Sequence, residues 1–322
     1  MHPTERPTGR SRRARMITSL LAFAGCVSML VAAPAPPPRA HAQPRRSQDD
    51  EVISVNTDLV VLNVTATDAK GEYVHGLKRA DFKVFEDGRE QQLTNFGVEE
   101  TPFAAALLLD VSGSMEGRIS LARSAAIRFL DGLREDDVAA VYSFHSKVEQ
   151  VQEFSHERDL TPRAFGLSAK GMTVLNDAVV RAATDLSKRP EKRRAIIVLS
   201  DGEDTRSGDS ADKALSAALA ANATIYTVDM ADRTGASPPA AASAGALKNF
   251  ASKSGGRYVP TPGGQELRAA FAEIVEELSN QYTLGYRPSN HERDGRWRSV
   301  EVKVARAEVK ARTRRGYRLS KS

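Results

Sequence analysis

"LLLDVSGSMEGR", residues 107–118, decides the fold of this chain. It closes an apolar run that begins at Phe103 and stops at an acid, Asp110; Ser112 and Ser114 follow at alternate positions with Gly113 between them. An unbroken apolar run of strand length reads as a strand buried on both faces. Three further short runs of this kind, Val138–Phe144, Ala195–Leu199 and Thr224–Met230, are separated by stretches with helical periodicity: Ile119–Leu133, Val174–Lys188, Ala211–Asn222 and Glu266–Ser279. Doubly buried strands alternating with amphipathic helices predict a mostly parallel, doubly wound α/β sheet covered on both sides, Rossmann-like in outline, over residues 101–280.

The segments on either side have another period. In residues 51–100, Val60, Leu62, Val64 and Ala66 alternate with Val61, Asn63 and Thr65, and Asp87-Gly88 separates two strand-like runs as a hairpin turn. Residues 281–322 return to alternation, with Val300, Val302 and Val304 on one face. Neither segment holds enough strands to be stable alone. The expectation is that they pair into one β-sandwich in which the α/β domain is inserted.

The first 42 residues read as a secretory signal: Arg10, Arg12, Arg13 and Arg15, an apolar run from Ile17 to Ala33, then Ala40-His41-Ala42 before Gln43. Residues 43–50 are a polar linker. "FAGC", ending at Cys26, is the minority alternative of a lipidated cysteine, and "SRRARM" resembles a twin-arginine signal. The expected location is therefore exported: periplasmic, envelope-associated or secreted. Of 322 residues, 41% are hydrophobic and 27% charged, enough for a real core, and the net charge is +5. Removing residues 1–42 leaves 40 basic and 40 acidic side chains, so the basicity belongs mostly to the signal. Cys26 is the only cysteine, which excludes a disulfide framework or a cysteine metal site downstream of it.

In an open doubly wound sheet, ligands bind beyond the carboxyl ends of the strands, where strand order reverses. Asp110 sits at such an end. Thr173 lies in "KGMTVLNDAV", a glycine-containing loop before a helix, and Asp201 follows the buried run "AIIVLS" directly. Asp110, Ser112, Ser114, Thr173 and Asp201 then form an all-oxygen set at one edge, which suits a hard cation such as Mg²⁺. Alone, the Asp-x-Ser-x-Ser pattern reads sooner as a turn with a capping serine than as a site; its recurrence with the other two loops favours a site. Asp204 can stand behind the ligands. The remaining acids of that loop, Glu203, Asp209 and Asp212, read as solvated or capping groups, and Ser210 as a helix cap.

Asp110-Val111-Ser112-Gly113-Ser114-Met115, then Thr173, then Asp201-Gly202, resembles the metal-ion-dependent adhesion site of von Willebrand factor type A domains, over about residues 102–280. The flanks resemble those of bacterial exported proteins described as acidobacterial VWFA-related. The resemblance implies a bound Mg²⁺, with Mn²⁺ or Ca²⁺ as alternatives, held by Asp110, Ser112, Ser114, Thr173 and Asp201. It further implies a non-catalytic binding protein whose protein partner offers an aspartate or glutamate to the metal, with ligand capture coupled to the last helix, Glu266–Ser279. Met172 departs from the family pattern, standing where a second glycine is common.

The rival is an enzyme, a metal-assisted phosphohydrolase using the same strand-end site. It finds little support: no P-loop, Gly-x-Ser-x-Gly elbow or His-Glu-x-x-His motif occurs. His145 is the only histidine near that edge, and a packed strand-end histidine is the simpler reading. Residues 287–322 carry twelve Lys/Arg against four Asp/Glu. Alternating basic residues mark the wet face of a strand; the functional alternative, for an exported chain, is contact with an acidic envelope surface rather than with nucleic acid. Sequence sets neither the partner's identity nor the oligomeric state.

Overall fold

The computed structural model describes residues 59–98, 101–161, 167–168, 171–231, 238–260 and 264–318, with backbone alone for 238–242. The expected signal sequence, Cys26 and the 43–50 linker lie outside the described residues. Four strands come first: β1 (Val60–Thr67), β2 (Phe82–Glu86), β3 (Arg89–Gln91) and β4 (Leu93–Gly97). The α/β part follows as β5 (Phe103–Asp110), α1 (Ile119–Asp131), β6 (Val138–Phe144), β7 (Val148–Ser155), α2 (Leu175–Ser187) and β8 (Arg193–Ser200). It continues through α3 (Ala211–Ala220), β9 (Ala223–Asp229), α4 (Pro238–Ser254), β10 (Tyr258–Pro260) and α5 (Gly264–Ser279). The chain returns to β structure in β11 (Gln281–Tyr286), β12 (Trp297–Val304), β13 (Lys310–Arg312) and β14 (Gly316–Arg318).

The central sheet has the order β10-β9-β8-β5-β6-β7, parallel except for β7, which runs antiparallel to β6. Every residue of β5 is buried, as the uninterrupted apolar run requires. Phe103, Ala105, Leu107 and Leu109 pack with Phe129 of α1 and Phe271 and Ile274 of α5. Ala104, Ala106 and Leu108 pack on the other face with Leu175, Leu215 and Phe250 from α2, α3 and α4. Each large side chain so buried contributes about 1.5–3 kcal/mol. From β5 the chain winds toward β6, whereas from β8 it winds toward β9. Strand order therefore reverses between β5 and β8, and the carboxyl ends of these strands carry Asp110 and Ser200.

Three elements escape sequence periodicity. β7 is half-exposed and its pairing with β6 slips at Val141, so neither alternation nor a continuous apolar run marks it. In "PPAAASAGALKNFASKS", alanines on every side blur the apolar stripe of α4, although Leu247 and Phe250 are fully buried. β10 has only three residues. α3 stops two residues earlier than its apolar pattern, because Asn222 takes a left-handed φ of 54°, a conformation that ends helices.

The flanking segments form two four-stranded sheets, β13-β1-β11-β4 and β14-β12-β2-β3, each taking two strands from either end of the chain. β1 lies antiparallel to β11 with Leu62 opposite Leu284, and β2 lies antiparallel to β12 with Val84 opposite Val302. Val60, Leu62, Val64, Tyr282 and Leu284 from one sheet and Phe82, Val84, Val300 and Val302 from the other share a single core, which makes the pair a sandwich around the inserted α/β part. Asp87 and Gly88 both have positive φ, the conformation a two-residue hairpin turn needs, and the Asp87 carboxylate accepts from the Ser299 N–H at 2.8 Å.

Glu277 joins the two parts. From the last turns of α5 its buried carboxylate accepts from Tyr226 Oη of β9 at 2.7 Å and Thr65 Oγ1 of β1 at 3.2 Å, and pairs with Arg312 of β13 at 2.5 Å. A buried carboxylate held by both parts ties the end of α5 to the sandwich.

Candidate metal rim

Asp110, the last residue of β5, is fully buried. Its Oδ1 accepts from the Ser112 N–H at 2.8 Å, which turns the chain back over the strand end, and its Oδ2 accepts from Ser200 Oγ at 2.6 Å. Ser112 Oγ lies 3.1 Å from Ser114 Oγ. Ser112 is buried and Ser114 exposed, so the hydroxyl pair runs from the floor of the rim to its surface.

Three loops meet here, and each pair of them is hydrogen-bonded. Loop β5–α1 reaches the loop before α2 through the Gly113 N–H on Gly171 O at 3.2 Å. That loop reaches the one after β8 through Thr173: its N–H donates to Thr205 Oγ1 at 2.9 Å, and its carbonyl accepts from the Thr205 and Arg206 N–H groups at 3.0 Å each. Ser200 of β8 closes the triangle on Asp110. Thr173 and Asp201 are both buried at this same end of the sheet, and Thr173 Oγ1 makes no hydrogen bond within the described residues. Gly113 serves close approach rather than a left-handed turn: a Cβ there would stand 3.4 Å from Gly171 O, while Gly171 is the one with φ +64°. Gly202 combines φ +83° with a Cβ position 2.5 Å from Ser243 O, so only glycine lets the chain turn there beneath α4.

Asp204 has hydrogen-bond partners of its own. Its carboxylate accepts from the Asn176 N–H at 2.8 Å and from Ser207 Oγ at 2.7 Å, so it fastens the loop after β8 to the first turn of α2. Ser210 caps α3, accepting from the Lys213 N–H at 3.2 Å. Met172 is exposed and its N–H meets Ser146 Oγ at 3.4 Å. His145, just past β6, has a buried Nδ1 with no partner among the described residues. Sequence reading missed Ser200 and Thr205, which position Asp110 and Thr173. A serine ending the buried run "AIIVLS" was the available signal for the first; Thr205, in a polar loop, offers none.

Burial pushes the Asp110 carboxyl from 3.8 up to about 6, hydrogen bonds from Ser112 and Ser200 offset part of that rise, and the charge of Asp201 adds to it. Asp110 has no ion-pair partner among the described residues. A buried acid beside a second acid is a place where a cation is stabilised. The donors fit a hard one: two carboxylates and three hydroxyls, all oxygen, with the serine pair 3.1 Å apart against the ~2.9 Å between neighbouring ligands of an octahedral Mg²⁺. No group of three or more His, Cys, Asp or Glu side chains suited to a metal occurs among the described residues. No described helix is long and apolar enough to cross a membrane.

Residues 105–203 match the family model of the von Willebrand factor type A domain. Human inter-alpha-trypsin inhibitor heavy chain H3 is 32% identical over 123 residues, 33% of this chain and 14% of that one. An uncharacterized protein of Synechocystis sp. is 27% identical over 187 residues, 56% of this chain and 42% of that one. The match thus spans less than half the length of each of these relatives. Among solved structures, a von Willebrand factor type A protein from Catenulispora acidiphila is similar with a TM-score of 0.47 and 13% identity, covering 75% of this chain and 74% of that one. The family match over residues 105–203 falls on the doubly wound sheet, so this part of the chain is a von Willebrand factor type A domain.

Proposed function

We propose that this protein is an exported, non-catalytic binding protein. Asp110, Ser112, Ser114, Thr173 and Asp201 hold one divalent cation, Mg²⁺ in the first place, and the cation captures an aspartate or glutamate of a protein partner. The observation that carries the reading is the buried Asp110, lifted to about 6 beside Asp201 in a rim whose other donors are neutral hydroxyls. With Asp110 and Asp201 acting directly or through water, the more of the direct ligands that are the neutral hydroxyls of Ser112, Ser114 and Thr173, the more charge the cation keeps to attract an outside carboxylate.

Ser112, Ser114 and Thr173 present the hydroxyls. Ser200 and the Ser112 N–H fix the Asp110 carboxylate, and Thr205 fixes the backbone of Thr173. When bound, the cation supplies the charge that attracts the partner's acid. The exposure of Ser114 and Met172 supports a contact face at the outer edge of the rim.

Titration calorimetry with Mg²⁺ tests the reading. The chain is expected to bind the metal saturably, and Asp110→Ala and Thr173→Ala are expected to weaken binding at least tenfold with the fold retained by circular dichroism. Mg²⁺ affinity equal in all three proteins would end the proposal. Mg²⁺-dependent hydrolysis of a generic phosphoester, lost in the same variants, would replace it with the phosphohydrolase reading.

A further inference from the structure

At the opposite end of the molecule, two adjoining basins run between α3 and the β12–β14 edge of the sandwich. The first, about 250 Å³, is bordered by Leu59, Leu219, Arg293, Trp297, Arg314 and Arg318. The second, about 380 Å³, is bordered by Leu215, Leu219, Lys253, Trp297, Arg315 and Arg318. Trp297, Leu219 and Arg318 belong to both, so the basins form one groove with the indole at its waist. Each basin has cations of its own, and among the described residues the groove's acidic lining is Asp212 alone. Lys253, Arg315 and Arg318 make no ion pair among the described residues. Trp297 is 37% exposed and Leu59 40%, two of the four large apolar side chains that stand out from the described surface.

A second observation lies beneath the groove. Arg314 is only 7% exposed. It donates to Leu219 O at 2.9 Å and Asn222 Oδ1 at 3.3 Å, and its guanidinium rests 5.4 Å from the centre of the Tyr317 ring. Its Nε has no partner among the described residues. The acid nearest in the sandwich core, Glu86, is committed to Arg298 at 3.3 Å and to the hydroxyls of Tyr286 and Tyr317 at 2.7 Å each. Two buried arginines thus share one buried glutamate. A surplus buried cation is costly unless an anion approaches it, and the groove is where one can.

We propose that this groove binds an acidic oligosaccharide, a chain of sugar rings carrying carboxylates. The arrangement repeats: a basin with cations, a flat indole, a second basin with cations. A polymer with a ring and a charge in each unit matches that repeat, whereas a compact inorganic anion would use one basin and leave the indole idle. Strand addition by a peptide finds little to pair with, since β14 has only three residues. Successive nucleic-acid bases need several stacking faces, and the groove exposes one. Sugar rings lay apolar C–H faces on the indole, their carboxylates pair with Arg315, Arg318 and Lys253, and the negative charge offsets the surplus at Arg314.

Trp297 is the only tryptophan of the chain, so its fluorescence reports on the groove directly. A polyuronate hexasaccharide is expected to change that emission saturably, and a neutral hexasaccharide to leave it unchanged. By calorimetry, Arg318→Glu and Trp297→Ala should each weaken hexasaccharide binding at least tenfold, with Mg²⁺ binding at the Asp110 rim unaltered as the control for folding. Absence of saturable uronate binding overturns the proposal. So does tighter binding of an oligoglutamate peptide or an oligothymidylate, or undiminished affinity in both variants.

Discussion

At the carboxyl-terminal rim of the central sheet Asp110 is buried beside Asp201, with hydroxyl and amide donors on its carboxylate; at the amino-terminal rim Arg193 is buried just as deeply, its two Nη groups meet carbonyls, its guanidinium lies 5.9 Å from the centre of the Phe103 ring, and its Nε has no hydrogen-bond partner among the described residues. Arg193 Nη1 donates to Thr101 O at 2.6 Å, and Nη2 donates to the Leu278 carbonyl in the last turn of α5. A helix carboxyl end carries partial negative charge, so the fold itself stabilises this cation. At the same rim Asp137 accepts from the Phe103 N–H at 3.0 Å and pairs with Arg134 at 3.1 Å. Nothing comparable meets Asp110, whose pKa rises because burial strips the carboxylate of water and Asp201 adds to the rise, the hydrogen bonds from Ser112 and Ser200 offsetting only part of it. The contrast separates a buried charge met by carbonyls of the fold from a buried charge met by neutral donors and a second acid.

The comparison breaks first at Arg193. Arg193→Ala should cost about 3–5 kcal/mol by urea denaturation, since it strips two carbonyls of their donor and leaves a cavity, yet it should not alter Mg²⁺ affinity in whatever protein remains folded. A cost below 1 kcal/mol would show that the two rims do not differ as described.

Asp110 sharpens it from the other side. The folded pKa of about 6 exceeds the unfolded 3.8, so between these values the folded state holds more protons. Without metal, stability from this group should therefore rise as pH falls from 7 toward 4, by up to about 3 kcal/mol. Asp185 and Glu191, both lowered by arginine partners, act in the opposite sense, so the quantity to follow is the Tm difference between wild type and Asp110→Asn in chelator. That difference should shrink on acidification, with the variant the more stable at pH 7. A difference that does not change with pH refutes it. Saturating Mg²⁺ should abolish the variant's advantage, because the metal stabilises the charged form.

The smallest effect belongs to Ser210. Ser210→Ala should lower stability by about 1 kcal/mol through loss of the α3 cap while Mg²⁺ binding stays unchanged. A matching loss of metal affinity would mean that the loop after β8 transmits strain from the cap to Asp201.

Much of the architecture was legible because burial on two faces leaves a mark in one dimension. The runs Phe103–Leu109, Val138–Phe144, Ala195–Leu199 and Thr224–Met230 each lie within or almost within an observed strand. Alternation at Val60, Leu62, Val64 and Ala66 marked a half-buried strand, and all four are buried. β7 and α4 left no such mark: an edge strand is half solvated, and an alanine-rich helix buries too little contrast between its faces. At the rim, the acids and hydroxyls at strand ends stood out against apolar runs, whereas Thr205 was one polar loop residue among many.

By itself, the sequence determined the alternation of buried strands and amphipathic helices, and hence which loops follow strand ends, because side-chain period and burial are local properties of the chain. It also showed a basic tail. Only the tertiary structure decided that Gly113 would meet Gly171, that Ser200 would hold Asp110, and that Arg314 would lie buried beneath Trp297 with no carboxylate to itself. Those relations join residues up to ninety positions apart, and only chain packing sets which of many polar side chains face one another.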